Sequence, residues 1–211
     1  MMNMEVDIIR PDNYGWIATK LSSESMDFLW KCIDNKKEDY RSKLAGNISE
    51  SYEIEDKNRW FSRNVLGTLV QGYEETFGNM AKSIPTTKSH PFSLHGFWVN
   101  YQKKHEFNPL HNHTGIYSFV IWMKIPFDYE DQINLPNCKG SNHPLNSGFV
   151  FEYLDILGNM KYHSYGLSKG DEGNMLFFPS ELHHQVYPFY NCDKTRISIS
   201  GNIFLDTSKK L

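Results

Sequence analysis

The sequence predicts a mainly β domain preceded by a helical region, and three observations carry that prediction. Aromatic residues make up 15% of the 211-residue chain, and flat rings pack well on pleated surfaces. From Phe92 onward, short apolar runs alternate with turn chemistry. Before about Ser89 the apolar period is helical instead. A series of short strands of this kind builds a sandwich, a jelly roll or a barrel.

Taken in order, the N-terminus up to Trp16 has no long apolar run, so neither a signal peptide nor a membrane anchor is expected. Met26, Leu29, Trp30 and Ile33 fall at i, i+3, i+4 and i+7, one face of a helix that Ser22 or Ser23 can cap. Residues 44–56, LAGNISESYEIED, read as a polar, turn-like stretch. A second helix is expected from about Asn58 to Phe77, with Phe61, Val65, Leu69 and Tyr73 repeating every four residues. The two prolines of KSIPTTKSHP close this region.

The strand candidates follow: GFWVNY, YSFVIWMKI, GFVFEYLDI, MKYHSYGL, NMLFFP, HQVYPF and RISISGNIFL. Leu157 to Met160 marks a tight hairpin, and Lys169 to Gly173 another turn. Between about Asp128 and Ser147 an insert rich in Asn, Pro and Gly reads as a loop at one mouth of the β-structure. Loops of that length often act as lids. The whole chain, 1–211, is read as one domain, with 1–90 a helical support and 91–206 the β core.

Composition narrows the function. Hydrophobic residues at 39% and charged residues at 22% describe a folded globular chain. A formal net charge of -3 provides no basic field for nucleic acid. Cys32, Cys138 and Cys192 lie far apart with no CxxC spacing, which suits a reducing, cytoplasmic setting better than a disulfide framework.

Three constellations carry chemistry. In His111-Asn112-His113, an extended backbone turns both imidazoles to one face, where they can share a metal ion; the plainer alternative is two surface-loop histidines. In NMLFFPSELHHQVYPF, an apolar strand ends at Pro179 and is followed by His183 and His184, of which strand alternation turns only one inward. A distant histidine added to an HxH pair makes a three-point site with open positions. In Arg196-Ile197-Ser198-Ile199-Ser200, the arginine and serines share the face opposite the isoleucines. A buried arginine there needs a partner, which a carboxylate ligand can supply in two-pronged geometry; the plainer alternative is a solvated polar face. Trp122, Phe149, Phe151, Tyr153, Tyr162 and Tyr165 read first as core and second as the lining of a cleft.

The order of these signals makes the sequence resemble the iron(II)/2-oxoglutarate-dependent oxygenase superfamily. More narrowly, it resembles a group of oxygenases found in marine phages and bacteria. The matching elements are Trp98-Val99-Asn100, His111-Asn112-His113, Ser118 to Trp122, Phe178 to His184, and Arg196 to Asn202. The resemblance implies a double-stranded β-helix (jelly roll) flanked by α-helices. It implies Fe(II) on His111, His113 and His184, and 2-oxoglutarate with its distal carboxylate on Arg196 and Ser198. Tyr101, ten residues before His111, would also reach the cosubstrate. Reaction with O2 would release succinate and CO2 and hydroxylate a substrate, either a small molecule or, as for prolyl hydroxylases, a peptide or protein.

One departure from the wider superfamily stands out: its second ligand is usually Asp or Glu, and here it is His113. Glu152 or Asp128 is the alternative source of a carboxylate. Two other readings compete. One is a cupin-like metalloenzyme that does not use 2-oxoglutarate, although no Glu follows His113 within five residues. The other is a non-catalytic jelly-roll structural or binding module. No nucleic-acid or membrane partner is expected, and a homodimer is compatible with the sequence. If the gene is phage-encoded, the setting is the host cytoplasm.

Overall fold

The computed structural model describes residues 6–9 and 11–209. Its elements run β1 (Ile17–Lys20), α1 (Ser23–Asp34), β2 (Glu50–Glu53), α2 (Gly67–Phe77), β3 (Phe92–Gln102), β4 (Asn108–His111), β5 (Tyr117–Lys124), α3 (Tyr129–Ile133), β6 (Phe149–Leu154), β7 (Met160–Tyr165), β8 (Asn174–Pro179), β9 (His183–Val186) and β10 (Arg196–Leu205). The strands form two antiparallel sheets, one ordered β1-β8-β5-β10-β3-β2 and the other β4-β9-β6-β7. This is the jelly-roll architecture expected.

Strand alternation divides the interior in two. One face of the larger sheet presents Phe97, Val99, Tyr117, Ile121, Phe177 and Ile199 to the helices, where Leu29, Ile33, Phe61, Val70 and Tyr73 complete a buried layer. The other face meets the smaller sheet through Val120, Trp122, Phe149, Phe151, Leu176 and Phe178. The first helix is capped by Ser22, whose hydroxyl accepts from Ser25 N at 3.2 Å. The second begins where the Asp56 carboxylate accepts from Phe61 N and Ser62 N at 2.8 and 2.9 Å. A wide helical turn over Ser62–Leu66 then leads into α2.

Two expectations need correction. Residues 44–56 are not turn-like throughout, because they contain β2. The N-terminal region is partly helical, and it also supplies β1 and β2, which close opposite edges of the larger sheet, on β8 and β3. Each has only four residues. A strand that short shows no readable period, and its conformation is imposed by the edge it joins. The insert after Asp128 is also more than a loop. It contains α3, and Gln132 fastens it: Gln132 Nε2 donates to Tyr190 O at 2.9 Å and Gln132 Oε1 accepts from Tyr190 N at 2.8 Å. A buried amide with both ends used makes this segment a fixed wall. Of the aromatic residues that read as core or cleft, Trp122, Phe149 and Phe151 are buried between the sheets, whereas Tyr162 is exposed.

Candidate active site

The two sheets enclose a cavity of about 280 Å³, whose lining includes Asn100, Gln102, Trp122, Phe149, Arg196, Ser198 and Asn202 together with His111, His113 and His184. The histidines come from both sides of one strand pair. His111 ends β4 and lies opposite His184 on β9. His113 follows in the turn, held by its backbone N–H to Ser180 O at 2.8 Å. Gly115 then takes φ +117°, a conformation that suits glycine, and a Cβ there would lie 2.9 Å from Ile203 O. His183, the neighbour on β9, is exposed.

One potential ligand atom from each of His111, His113 and His184 falls within 4.8 Å of the others. Each ring is oriented from behind. Nδ1 of His111 donates to Pro109 O at 2.7 Å, Nδ1 of His184 to Leu182 O at 2.9 Å, and Nδ1 of His113 to Asn202 Oδ1 at 2.8 Å. That leaves the Nε2 lone pair of each ring unshared. Asn202 is itself fixed, since Ser118 Oγ donates to its Oδ1 at 2.8 Å. Burial lowers the pKa of all three rings, with the neighbouring imidazoles adding to the effect for His113 and His184. His113 falls to about 4 and His184 lies well below its ordinary value.

The arginine is a second centre. Arg196 is 2% exposed, and no carboxylate among the described residues pairs with it. Its Nε and Nη2 donate to Gln102 Oε1 at 3.1 and 2.6 Å, Nη1 to Ser147 O at 2.6 Å and Nη2 to Tyr187 O at 3.3 Å. Phe127 and Phe189 lie over the guanidinium with ring centres 5.8 and 5.6 Å away. Burial lowers its pKa to about 9, so it remains a cation at neutral pH.

These donors fit the groups the sequence implied. His113 Nε2 and His184 Nε2 are 3.1 Å apart, and two lone pairs at that distance repel unless a cation lies between or beside them. Three neutral imidazoles suit several divalent metals, iron among them. A buried guanidinium facing a cavity without a charged partner suits a carboxylate.

The structure brings together His111, His113, His184, Arg196 and Ser198 around one cavity. It does not bring Tyr101 there. Tyr101 sits on the helix-facing side of β3, with its ring against Tyr52 and under Lys36 Nζ. Alternation gives the cavity face to its neighbours Asn100 and Gln102. Glu152 bonds Gln185, and Asp128 pairs with Lys169, so neither joins the histidines. Gln102 and the backbone of Ser147 were missed by sequence reasoning. The alternation of β3 could have flagged Gln102; nothing in the sequence marks a backbone carbonyl.

The comparisons agree with this geometry. A family model described as "Putative 2OG-Fe(II) oxygenase" matches residues 96–202, just over half the chain. An oxidoreductase of the 2OG-Fe(II) oxygenase family from Burkholderia pseudomallei shares the fold with a TM-score of 0.51 at 13% identity, over 90% of this chain and 85% of that one. A Trichoplax adhaerens prolyl hydroxylase, solved with a hypoxia inducible factor peptide fragment, gives 0.51 at 12% identity over 91% and 84%. HygX from Streptomyces hygroscopicus, solved with nickel, 2-oxoglutarate and hygromycin B bound, gives 0.52 at 8% identity over 92% and 84%. None of the curated proteins compared with the chain matches it. The family match, on a jelly roll shared with these enzymes, makes the chain a member of the 2OG-Fe(II) oxygenase family, an oxidoreductase that uses iron(II), 2-oxoglutarate and O2.

Proposed function

We propose that this oxygenase hydroxylates an unactivated C–H bond, with His111, His113 and His184 holding iron(II), and with Arg196 and Ser198 holding the distal carboxylate of 2-oxoglutarate. One observation carries the reading: a buried guanidinium without a carboxylate partner lines the same cavity as three converging imidazoles. Bound iron supplies O2 activation coupled to decarboxylation of the keto acid to succinate and CO2. The chain's own groups do the rest. Pro109 O, Leu182 O and Asn202 Oδ1 keep the three Nε2 atoms unprotonated and aimed inward. Trp122, Phe149 and Phe178 keep that part of the cavity apolar and exclude water.

The substrate class follows from volume. A cavity of about 280 Å³ is small among ligand pockets, which span roughly 300–1,000 Å³, and the cosubstrate must share it. The substrate therefore inserts only its reacting group, and its remainder lies at the mouth, beside Tyr40, Lys43, Leu44 and Ile48. A peptide side chain on an extended backbone fits that shape. Trp98, which lines the cavity and stacks on both Tyr40 and His113, has a buried Nε1 donor with no acceptor; a substrate carbonyl would supply one. The free cysteines Cys32, Cys138 and Cys192 suit a reducing compartment.

The test is anaerobic. Iron(II) and then 2-oxoglutarate are added to the protein, and the visible charge-transfer band of the chelated complex is recorded. The band should need both additions, vanish in His184→Ala and weaken in Arg196→Ala. Folded wild-type protein that gives no band would sink the proposal.

A further inference from the structure

Arg196 carries its charge into the interior already wrapped in oxygen, yet every one of those oxygens is neutral. The Nε and Nη2 hydrogens converge on Gln102 Oε1, the edge of the guanidinium that a carboxylate would otherwise grip with two bonds. The remaining acceptors are the carbonyls of Ser147 and Tyr187. Gln102 is held as firmly as it holds: it is 4% exposed, its Nε2 donates to Glu106 O at 2.5 Å, and it lies directly across from Arg196 in the β3–β10 register. It lines the same cavity. An amide oxygen at this place fixes the direction of the guanidinium and cancels none of its charge. A glutamate would fix the direction equally well and cancel it all.

We propose that Gln102 is the positioning residue that gives the cavity its preference for a dicarboxylate: its amide oxygen orients Arg196 while its neutrality leaves the positive charge for the ligand's distal carboxylate. The proposal rests on the reading of Arg196 given above. It makes two separable demands on position 102, an acceptor and the absence of charge. Gln102→Glu keeps the first and loses the second. Gln102→Met, of similar length, loses the first and keeps the second.

The experiment is anaerobic calorimetry on the iron(II)-loaded wild type and both variants. The ligands are 2-oxoglutarate and 2-oxobutyrate, which has the same chelating end and no distal carboxylate. Wild type should prefer 2-oxoglutarate by roughly a hundredfold, the scale on which a desolvated charge pair discriminates. Gln102→Glu should bring that ratio to about one while binding 2-oxobutyrate as wild type does, which also shows that the variant is folded. Gln102→Met should weaken 2-oxoglutarate about tenfold, the scale of a lost hydrogen bond to a charged group, and keep a preference for it. Gln102→Glu with the wild-type ratio, or Gln102→Met with the wild-type affinity for 2-oxoglutarate, overturns the role of Gln102. A wild type without preference instead overturns the assignment of Arg196 itself.

Discussion

At the scale of single residues, the candidate metal site is governed by groups that would never touch the metal. His113 stands where a carboxylate is usual, so its basicity and tilt depend on what holds Nδ1, and that is Asn202 Oδ1. Asn202 in turn is anchored by Ser118, whose hydroxyl also meets that of Ser180 at 2.8 Å. Asn202→Ala frees the ring and its tautomer together. We expect divalent-metal affinity to fall roughly 10- to 100-fold, the usual cost of losing an outer partner of a ligating histidine. Calorimetric titration with Zn²⁺ or anaerobic Fe²⁺ measures it, and unchanged affinity would show that His113 is placed by its turn alone. The candidate histidines were legible in part, because HxH and a later histidine are patterns in the chain, while the choice of His184 over His183 came from the family resemblance. Gln102 was less legible, since its importance comes from a cross-strand partner distant in sequence, and Tyr101 misled because separation in sequence says nothing about which side of a strand a residue occupies.

At the scale of elements, the junction between β4 and β5 sets the site. The chain leaves His111, places His113, and reverses at Gly115 before entering β5. Two facts constrain that reversal: the positive φ, and an Ile203 carbonyl 2.9 Å from where a Cβ would sit. Gly115→Ala pays in both strain and contact. The expected loss is about 1–3 kcal/mol of stability, read from denaturant midpoints, together with weaker metal binding because His113 moves with the turn. Equal loss of stability with intact metal affinity would mean that the turn adjusts without moving the ring. Long strands were visible, β10 from its alternation and β5 from its apolar run. The four-residue β1, β2, β4 and β9 were harder to delimit, because strands that short owe their form to neighbours rather than to a period of their own.

For the molecule as a whole, the buried histidines tie stability to pH when metal is absent. In the unfolded chain these imidazoles take up protons below about pH 6.5. In the fold, burial holds His113 neutral down to about pH 4 and lowers His111 and His184 as well. Between those limits the unfolded state binds more protons, so stability falls as pH falls, by about 1.4 kcal/mol per pH unit for each fully shifted histidine. The chelator-treated protein should therefore lose thermal stability between pH 6.5 and 5. Lowered carboxylates such as Asp206, at about 2, release their contribution only in more acidic solution. Saturating Zn²⁺ should raise the whole curve and leave its slope across the same window, because metal-bound rings take up no protons either. A melting temperature of the metal-free protein that holds constant from pH 7 to 5 would contradict the burial argument. The overall architecture was readable because a change of apolar period near Phe92 separates helical from extended chain. The partnership of the two halves was not, because nothing in a four-residue segment announces which distant edge it will join.

That partnership has a consequence in time. Ile17 pairs with Phe177 and Ser51 with Asn100, so both flanks of the larger sheet are sealed by segments synthesised long before or well before the strands they join. The first strand must wait for the eighth while most of the chain is still being made, and until then β1 has no sheet edge to join. Assembly is thereby biased towards a late, all-at-once closure rather than a stepwise one from the N-terminus, and connections this distant favour slow folding. The interval before closure is when the nascent chain is most exposed to misassociation, and the cavity acquires its walls only at the end of it.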